Sequence, residues 1–185
     1  MTELALLARE VGADERTLRR AVRQGTIRAR RPSPRVLELT VSEKHFVRRS
    51  WPLLGALRCA LRTEANVRFA LLFGSTATGD DTPDSDVDLL VDLREDSLES
   101  VLALRERLTE AVERPVDLLR LEDAERDPAL LADLVMHGRV LVDRADRWPV
   151  LQARAPALRR RGRENDARRT AAALTGIDRL LSARR

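Results

Sequence analysis

Apolar positions along the chain follow two different periods. From residue 2 to 24 they recur every three to four residues. Leu4, Leu7, Ala8 and Val11 share one helical face, and Leu18, Ala21 and Val22 share another. Gly12-Ala13-Asp14 separates the two, with Asp14 placed to cap the second helix and Gly25 to end it. Thr26–Arg31, Pro32-Ser33-Pro34 and Arg35–Thr40 read as strand, turn and strand. Residues 43–64 return to the helical period, with Pro52 as the place for a bend or restart.

From residue 67 the pattern changes to short apolar runs. Val67–Phe73 predicts a buried strand that ends at Gly74-Ser75, and after a polar loop Asp86–Asp92 predicts a second. Pro115–Leu121 reads as a third strand and Val140–Val142 as a fourth. Between them, 97–112 has helical spacing through Leu98, Leu102, Leu104 and Leu108, and 128–136 is a helix closed by Gly138. Strands alternating with helices predict an α/β domain. Residues 150–183 read as helical, with an interrupted apolar stripe of Leu158, Ala171, Leu174, Ile177, Leu180 and Leu181.

Composition narrows the class. A chain of 185 residues with 43% apolar side chains can bury a core, and 35% charged side chains make it soluble. No apolar run approaches the roughly 20 residues of a membrane span. The start, Met1-Thr2-Glu3-Leu4, lacks the basic and apolar regions of a secretory signal. The single Cys59 excludes an internal disulfide or a cysteine-built metal site and is expected in the core. The expected location is the cytoplasm. Charge is unevenly spread. Residues 1–50 carry 12 basic and 6 acidic side chains, 51–150 carry 12 and 21, and 151–185 carry 10 and 3. An acidic middle thus lies between two basic ends. Only Lys44 among the 34 basic residues is not arginine, so the distribution says more than the total.

The acidic middle holds the most informative spacing. Phe73-Gly74-Ser75 is followed, ten residues on, by Asp86-Val87-Asp88. Residues i and i+2 of a strand share a face, so Asp86 and Asp88 project side by side and repel unless a proton or cation sits between them. Oxygen-only ligands suit Mg²⁺. Gly74 admits close backbone approach to a phosphate, and Ser75 offers a hydroxyl and an amide at the start of a helical turn. Asp117 recurs inside the otherwise apolar Val116-Asp117-Leu118-Leu119, where an isolated carboxylate is costly to bury. If its strand neighbours that of Asp86 and Asp88, three carboxylates converge, as two-metal nucleotidyl transfer requires.

These residues resemble a known family. Leu72-Phe73-Gly74-Ser75-Thr76-Ala77-Thr78-Gly79 with Pro83-Asp84-Ser85-Asp86-Val87-Asp88-Leu89-Leu90-Val91 is similar to the nucleotidyltransferases of the DNA polymerase beta superfamily, most of all the minimal nucleotidyltransferases. The resemblance covers roughly residues 65–143 and extends to Pro115–Leu118 and Gly138–Val142. It implies a mixed-sheet α/β (α+β) nucleotidyltransferase domain over 65–143. Gly74 and Ser75 would bind nucleotide phosphates, and Asp86, Asp88 and Asp117 would be the catalytic and metal-holding carboxylates. Two Mg²⁺ ions and ATP or another NTP would be the cofactors. Asp117 would help activate the acceptor hydroxyl. Many minimal members carry arginines where this chain has Thr76 and Thr78. The resemblance further implies an antitoxin that adenylylates a HEPN-type toxin. This chain lacks the Arg-x4–6-His signature of HEPN proteins, which fits a toxin supplied in trans. Two alternatives stand beside it: a toxin that adds nucleotides to tRNA, and a non-catalytic DNA-binding repressor with a nucleotide-sensing domain.

The N-terminal 41 residues resemble a winged helix-turn-helix, with Ala8, Gly12, Leu18 and Ala21 at the spacing that motif needs. Arg16, Arg19, Arg20 and Arg23 on the second helix and Arg28, Arg30 and Arg31 on the hairpin are the expected DNA-phosphate contacts. The opposing reading is a helical hairpin that only docks on the catalytic domain. A linking helix over 42–64 and a helical extension over 144–185 complete the expected organisation. His45 and His137 lack metal-ligating companions and are expected to be structural. Trp51 and Trp148, each followed by proline, are expected at element boundaries. The Arg159–Arg163 cluster reads equally as a solvated helix end or a site for RNA or an acidic partner.

Overall fold

The computed structural model describes residues 2–33 and 36–182, with side-chain surroundings up to residue 167. Two short helices, α1 (Glu3–Glu10) and α2 (Glu15–Gln24), precede a hairpin of β1 (Arg30–Ser33) and β2 (Val36–Glu38). Thr2 caps α1 through its side chain, whereas Asp14 takes the cap position of α2 without a side-chain bond. Gly25 ends α2 in the left-handed conformation at φ +85°, where Trp148 packs against it. The long α3 (Val41–Thr63) follows and runs through Pro52 without ending.

The remaining elements are β3 (Val67–Phe73), α4 (Gly74–Thr78), β4 (Val87–Leu93), α5 (Leu98–Val112), β5 (Val116–Arg120), α6 (Leu121–Glu125), α7 (Pro128–His137), β6 (Arg139–Asp143) and α8 (Arg147–Ser182). The four strands form a sheet in the order β5-β4-β3-β6. β3 pairs antiparallel with β4 and β6, and β4 pairs parallel with β5, so the sheet is mixed as the resemblance implied.

Alternation along the strands builds a core on each face. Ala70, Leu72, Val87, Leu89 and Val116 pack under α3 and α5, and Phe69, Leu71, Leu90 and Val140 pack under α6, α7 and α8. Leu4, Leu7, Leu18 and Ile27 join the first of these clusters, so the N-terminal helices share one continuous core with the sheet. Gly162 of α8 lies so close to Ala129 of α7 that a Cβ there would stand 2.9 Å from it.

Several expectations need correction. The hairpin strands are shorter than 26–31 and 35–40. The third strand stops at Arg120, because Leu121 turns into α6, a helix that its short apolar run did not reveal. On α5, Leu104 and Leu108 are buried, but Leu98 and Leu102 face solvent. Cys59 is exposed rather than in the core. Trp51 lies inside α3, not at a boundary, whereas Trp148 does stand at the start of α8. Leu158 is buried, and Ala171, Leu174, Ile177, Leu180 and Leu181 carry side chains outside the described residues. Among the described residues no helix is long and apolar enough to cross a membrane.

Candidate nucleotidyl-transfer site

The register of the sheet assembles the three expected carboxylates. Asp88 pairs with Asp117 across the parallel β4–β5 ladder, and both lie on the Leu90–Leu119 face. Asp86, two residues before Asp88 and just ahead of β4, is exposed on the same side. Phe73, the last residue of β3, faces Asp88 from the other neighbouring strand. The chain then turns directly into α4, which brings Gly74 against the Asp88 carboxylate. A Cβ on Gly74 would overlap Asp88 Oδ2, and the glycine holds φ at +70°. Ser75 is exposed beside it, in the first turn of α4.

The electrostatics follow from this packing. Burial is the main cause that pushes the half-buried Asp88 carboxyl above its ordinary value, and the charges of Asp117 and Asp86 push the same way. Asp117 itself is exposed, which corrects the expectation of a buried acid. β5 is the edge strand, so its apolar neighbours reach the core while Asp117 faces water and Arg105 of α5, 3.3 Å away.

Among the described residues no three His, Cys, Asp or Glu side chains close into a ready-made metal cage. The donor set nonetheless fits a divalent cation. Its ligands are hard carboxylate oxygens, their mutual repulsion is felt at Asp88, and the missing side chain of Gly74 leaves a cradle around that carboxylate.

Side chains that the sequence did not single out hold the loop between Gly79 and Asp86. Asp81, almost fully buried, receives Arg49 of α3 at 2.8 Å on one oxygen and Arg114 at 3.1 Å on the other. Arg49 also donates to the Gly79 carbonyl at 2.6 Å, and Arg114 to the Ser85 carbonyl at 2.5 Å. Thr76 is buried, and its hydroxyl donates to the Asp86 carbonyl at 3.2 Å, while the Thr78 hydroxyl donates to the Ser75 carbonyl at 3.0 Å. Thr76 and Thr78 thus brace α4 and the loop. No signal short of the tertiary pairing marks Arg49, Asp81 or Arg114.

Arg139 was equally unforeseen. It is 2% exposed and forms a two-pronged pair with Glu43 of α3 at 2.6 and 3.0 Å. It also donates to the Ala77 carbonyl of α4 at 2.6 Å and stacks on Phe46 at 3.4 Å. Glu43 in turn accepts the Arg28 backbone N–H at 2.8 Å, and the Thr26 hydroxyl donates to the Val140 carbonyl at 2.5 Å. The N-terminal unit and α4 therefore meet at one buried ion pair.

Residues 56–147 match the family model for polymerase beta nucleotidyltransferases. The chain carries a polymerase beta nucleotidyltransferase domain. In this domain the β3–α4 turn carries Gly74 and Ser75, the β4–β5 pair carries Asp88 and Asp117, and Asp86 lies just ahead of β4, so the five residues expected to act fall within it. Solved structures share the fold. A toxin–antitoxin crystal structure with AMP-PNP is 21% identical, covers 67% of this chain and 98% of its own, and has a TM-score of 0.53. The tri-AMPylated Shewanella oneidensis HEPN toxin in complex with MNT antitoxin is 19% identical, with 69% and 98% covered and a TM-score of 0.50. The MntA–HepT toxin–antitoxin gives the same values. No curated protein matches the chain.

The arginines expected at DNA are placed unevenly. Arg16, Arg20, Arg23, Arg30 and Arg31 are exposed. Arg19 is paired with Glu15 at 2.5 Å, and the Arg28 guanidinium turns to the His137 carbonyl, so neither is free as expected.

Proposed function

We propose that this protein transfers AMP from ATP, with Mg²⁺, onto a hydroxyl of a macromolecular partner, and that the partner is a HEPN-type toxin which it silences as an antitoxin. The observation that carries this reading is the in-register pairing of Asp88 with Asp117 beside Asp86 and against the Gly74-Ser75 turn. The solved complexes with AMP-PNP and with an AMPylated HEPN toxin favour ATP as donor and a protein as acceptor.

In this reading Gly74 and Ser75 receive the triphosphate, with the Ser75 hydroxyl and amide donating to phosphate oxygens. Asp86 and Asp88 would hold the divalent cations, joined by Asp117. A bound cation offsets the triphosphate charge and makes the acceptor hydroxyl more acidic. The acceptor oxygen attacks the α-phosphorus from the side opposite the leaving group. A new P–O bond forms, the bond to the β-phosphate breaks, and pyrophosphate leaves. Asp117 takes the hydroxyl proton; its exposure on the edge strand gives a macromolecular acceptor room to approach. Arg49, Arg114 and Thr76 keep Asp86 in place by fixing the loop that carries it.

The test is full-length protein with Mg²⁺ and α-labelled ATP, offered a HEPN protein encoded beside it and, separately, tRNA. Label on the HEPN protein that disappears with Asp86→Asn/Asp88→Asn supports the proposal. Label on tRNA alone points to the tRNA-modifying toxin, and bound ATP with no transfer points to the nucleotide-sensing repressor.

Arg23, Arg30 and Arg31, exposed on α2 and the β1–β2 hairpin, favour an additional role in DNA binding. Deleting residues 1–41 is a poor test, since they share the core of the sheet. Arg23, Arg30 and Arg31 changed together to alanine should instead weaken binding to the protein's own promoter and flatten its salt dependence. Unchanged promoter binding would remove the hairpin from any DNA contact.

A further inference from the structure

At the far edge of the sheet from Asp117, a cavity of about 480 Å³ opens between α2, α3 and β6. Arg16 and Arg20 enter its wall from α2, and Arg58 and Arg62 from α3. None of the four has a carboxylate partner among the described residues. Arg58 donates through one nitrogen to Gln24 at 2.6 Å; its other terminal nitrogen is shut off from solvent and meets no acceptor among the described residues. Burial lowers the proton affinity of that guanidinium, and Arg20 and Arg62 lower it further.

The other charged groups at the cavity are already engaged. Arg144 donates to the Leu61, Arg62 and Glu64 carbonyls at the end of α3 and to the Val67 carbonyl at the start of β3. Asp143 accepts the backbone N–H groups of Ala145, Arg147 and Trp148, and so caps the start of α8 rather than neutralising the arginines. Arg58, partly buried beside Arg20 and Arg62 and without a carboxylate, is a charge that a bound anion would stabilise.

We propose that this cavity binds a phosphate-bearing anion of nucleotide size, independently of the carboxylate site. Guanidinium forks match phosphate oxygens in pairs, which favours phosphate over a monocarboxylate. The volume lies in the range that encloses a small ligand, and Trp51 adds an aromatic wall. A DNA duplex presents its phosphates on a convex surface and fits a recessed cavity poorly.

Calorimetry on the full chain in EDTA isolates this site, because without a divalent cation the carboxylates repel phosphate. The probes are inorganic phosphate, AMP, ATP and a short DNA duplex. AMP and ATP should bind saturably and inorganic phosphate more weakly. Arg58→Gln and Arg62→Gln should each weaken AMP binding about tenfold or more, while Arg126→Gln, at an exposed arginine that does not line the cavity, should bind AMP as the parent does. Arg62 is exposed, so its variant keeps the test valid even if Arg58→Gln fails to fold. No saturable binding of AMP or ATP, or equal affinity in the arginine variants, overturns the proposal. Duplex binding without AMP binding overturns it too, and reassigns the arginines to a nucleic-acid backbone.

Discussion

Gly74 and Asp88 share one volume: the Asp88 carboxylate lies where a side chain on Gly74 would have to be. The positive φ of Gly74 adds a second restriction, since other residues pay about 1–2 kcal/mol for that conformation. Gly74→Ala should therefore lose stability by at least that amount in urea unfolding and displace Asp88, with ATP affinity and transfer falling together. Parental stability and affinity in this variant would show that the close approach is dispensable.

Removing the acidic pair should separate folding from function. Asp86→Asn/Asp88→Asn should keep its circular dichroism spectrum and lose transfer entirely. Mg²⁺ should raise the melting temperature of the parent but not of this variant. Equal stabilisation of both proteins by Mg²⁺ would place the ion elsewhere.

The raised Asp88 carboxyl has a definite pH signature. The folded chain holds this proton more tightly than the unfolded chain, so stability falls as pH climbs from the ordinary carboxylate value to the raised one. Below about pH 3 both states are protonated and the effect vanishes. Asp88→Asn should thus match the parent's melting temperature in strong acid and exceed it at neutral pH. Because the group is partly solvated, the excess should be small. A constant difference at all pH values would contradict the assignment.

Asp117, proposed to take the acceptor proton, is exposed and 3.3 Å from Arg105. Asp117→Asn should leave ATP affinity intact and slow single-turnover transfer by about 10²–10⁴-fold, the scale of positioned acid–base catalysis. Loss of ATP binding would instead make Asp117 a holder of the nucleotide's cation.

The Arg139–Glu43 pair is the most buried ionic contact on α3. Glu43→Gln strands the Arg139 charge and should cost about 3–5 kcal/mol in urea unfolding. Glu43→Gln combined with Arg139→Met should recover much of that loss, because no unpaired charge remains. If the double variant is as unstable as the single one, the hydrogen bonds from Arg139 to Ala77 and Thr26, rather than the ion pair, hold this junction.

The local pattern was enough for the elements that begin and end on strong signals. Apolar runs bounded by Gly74 and by Asp86 marked β3 and β4, and Pro128 and Gly138 framed α7. The spacing from Gly74-Ser75 to Asp86 and Asp88 was legible because alternation along an extended chain puts i and i+2 on one face wherever the strand ends up. Whether Asp117 joins them was not legible, since pairing between β4 and β5 depends on sheet order, and sheet order depends on which faces bury the most apolar area. Its exposure also escaped the sequence, because an edge strand and a central one can carry the same apolar residues. Arg49, Asp81, Arg114, Glu43 and Arg139 were silent for a related reason. A charged residue in a chain this rich in arginine reads as solvated until the fold brings its partner to it. The chain itself therefore determined the strands, the glycine turn and the acidic pair, while long-range packing decided the third carboxylate, the braces around the loop and the arginine-lined cavity.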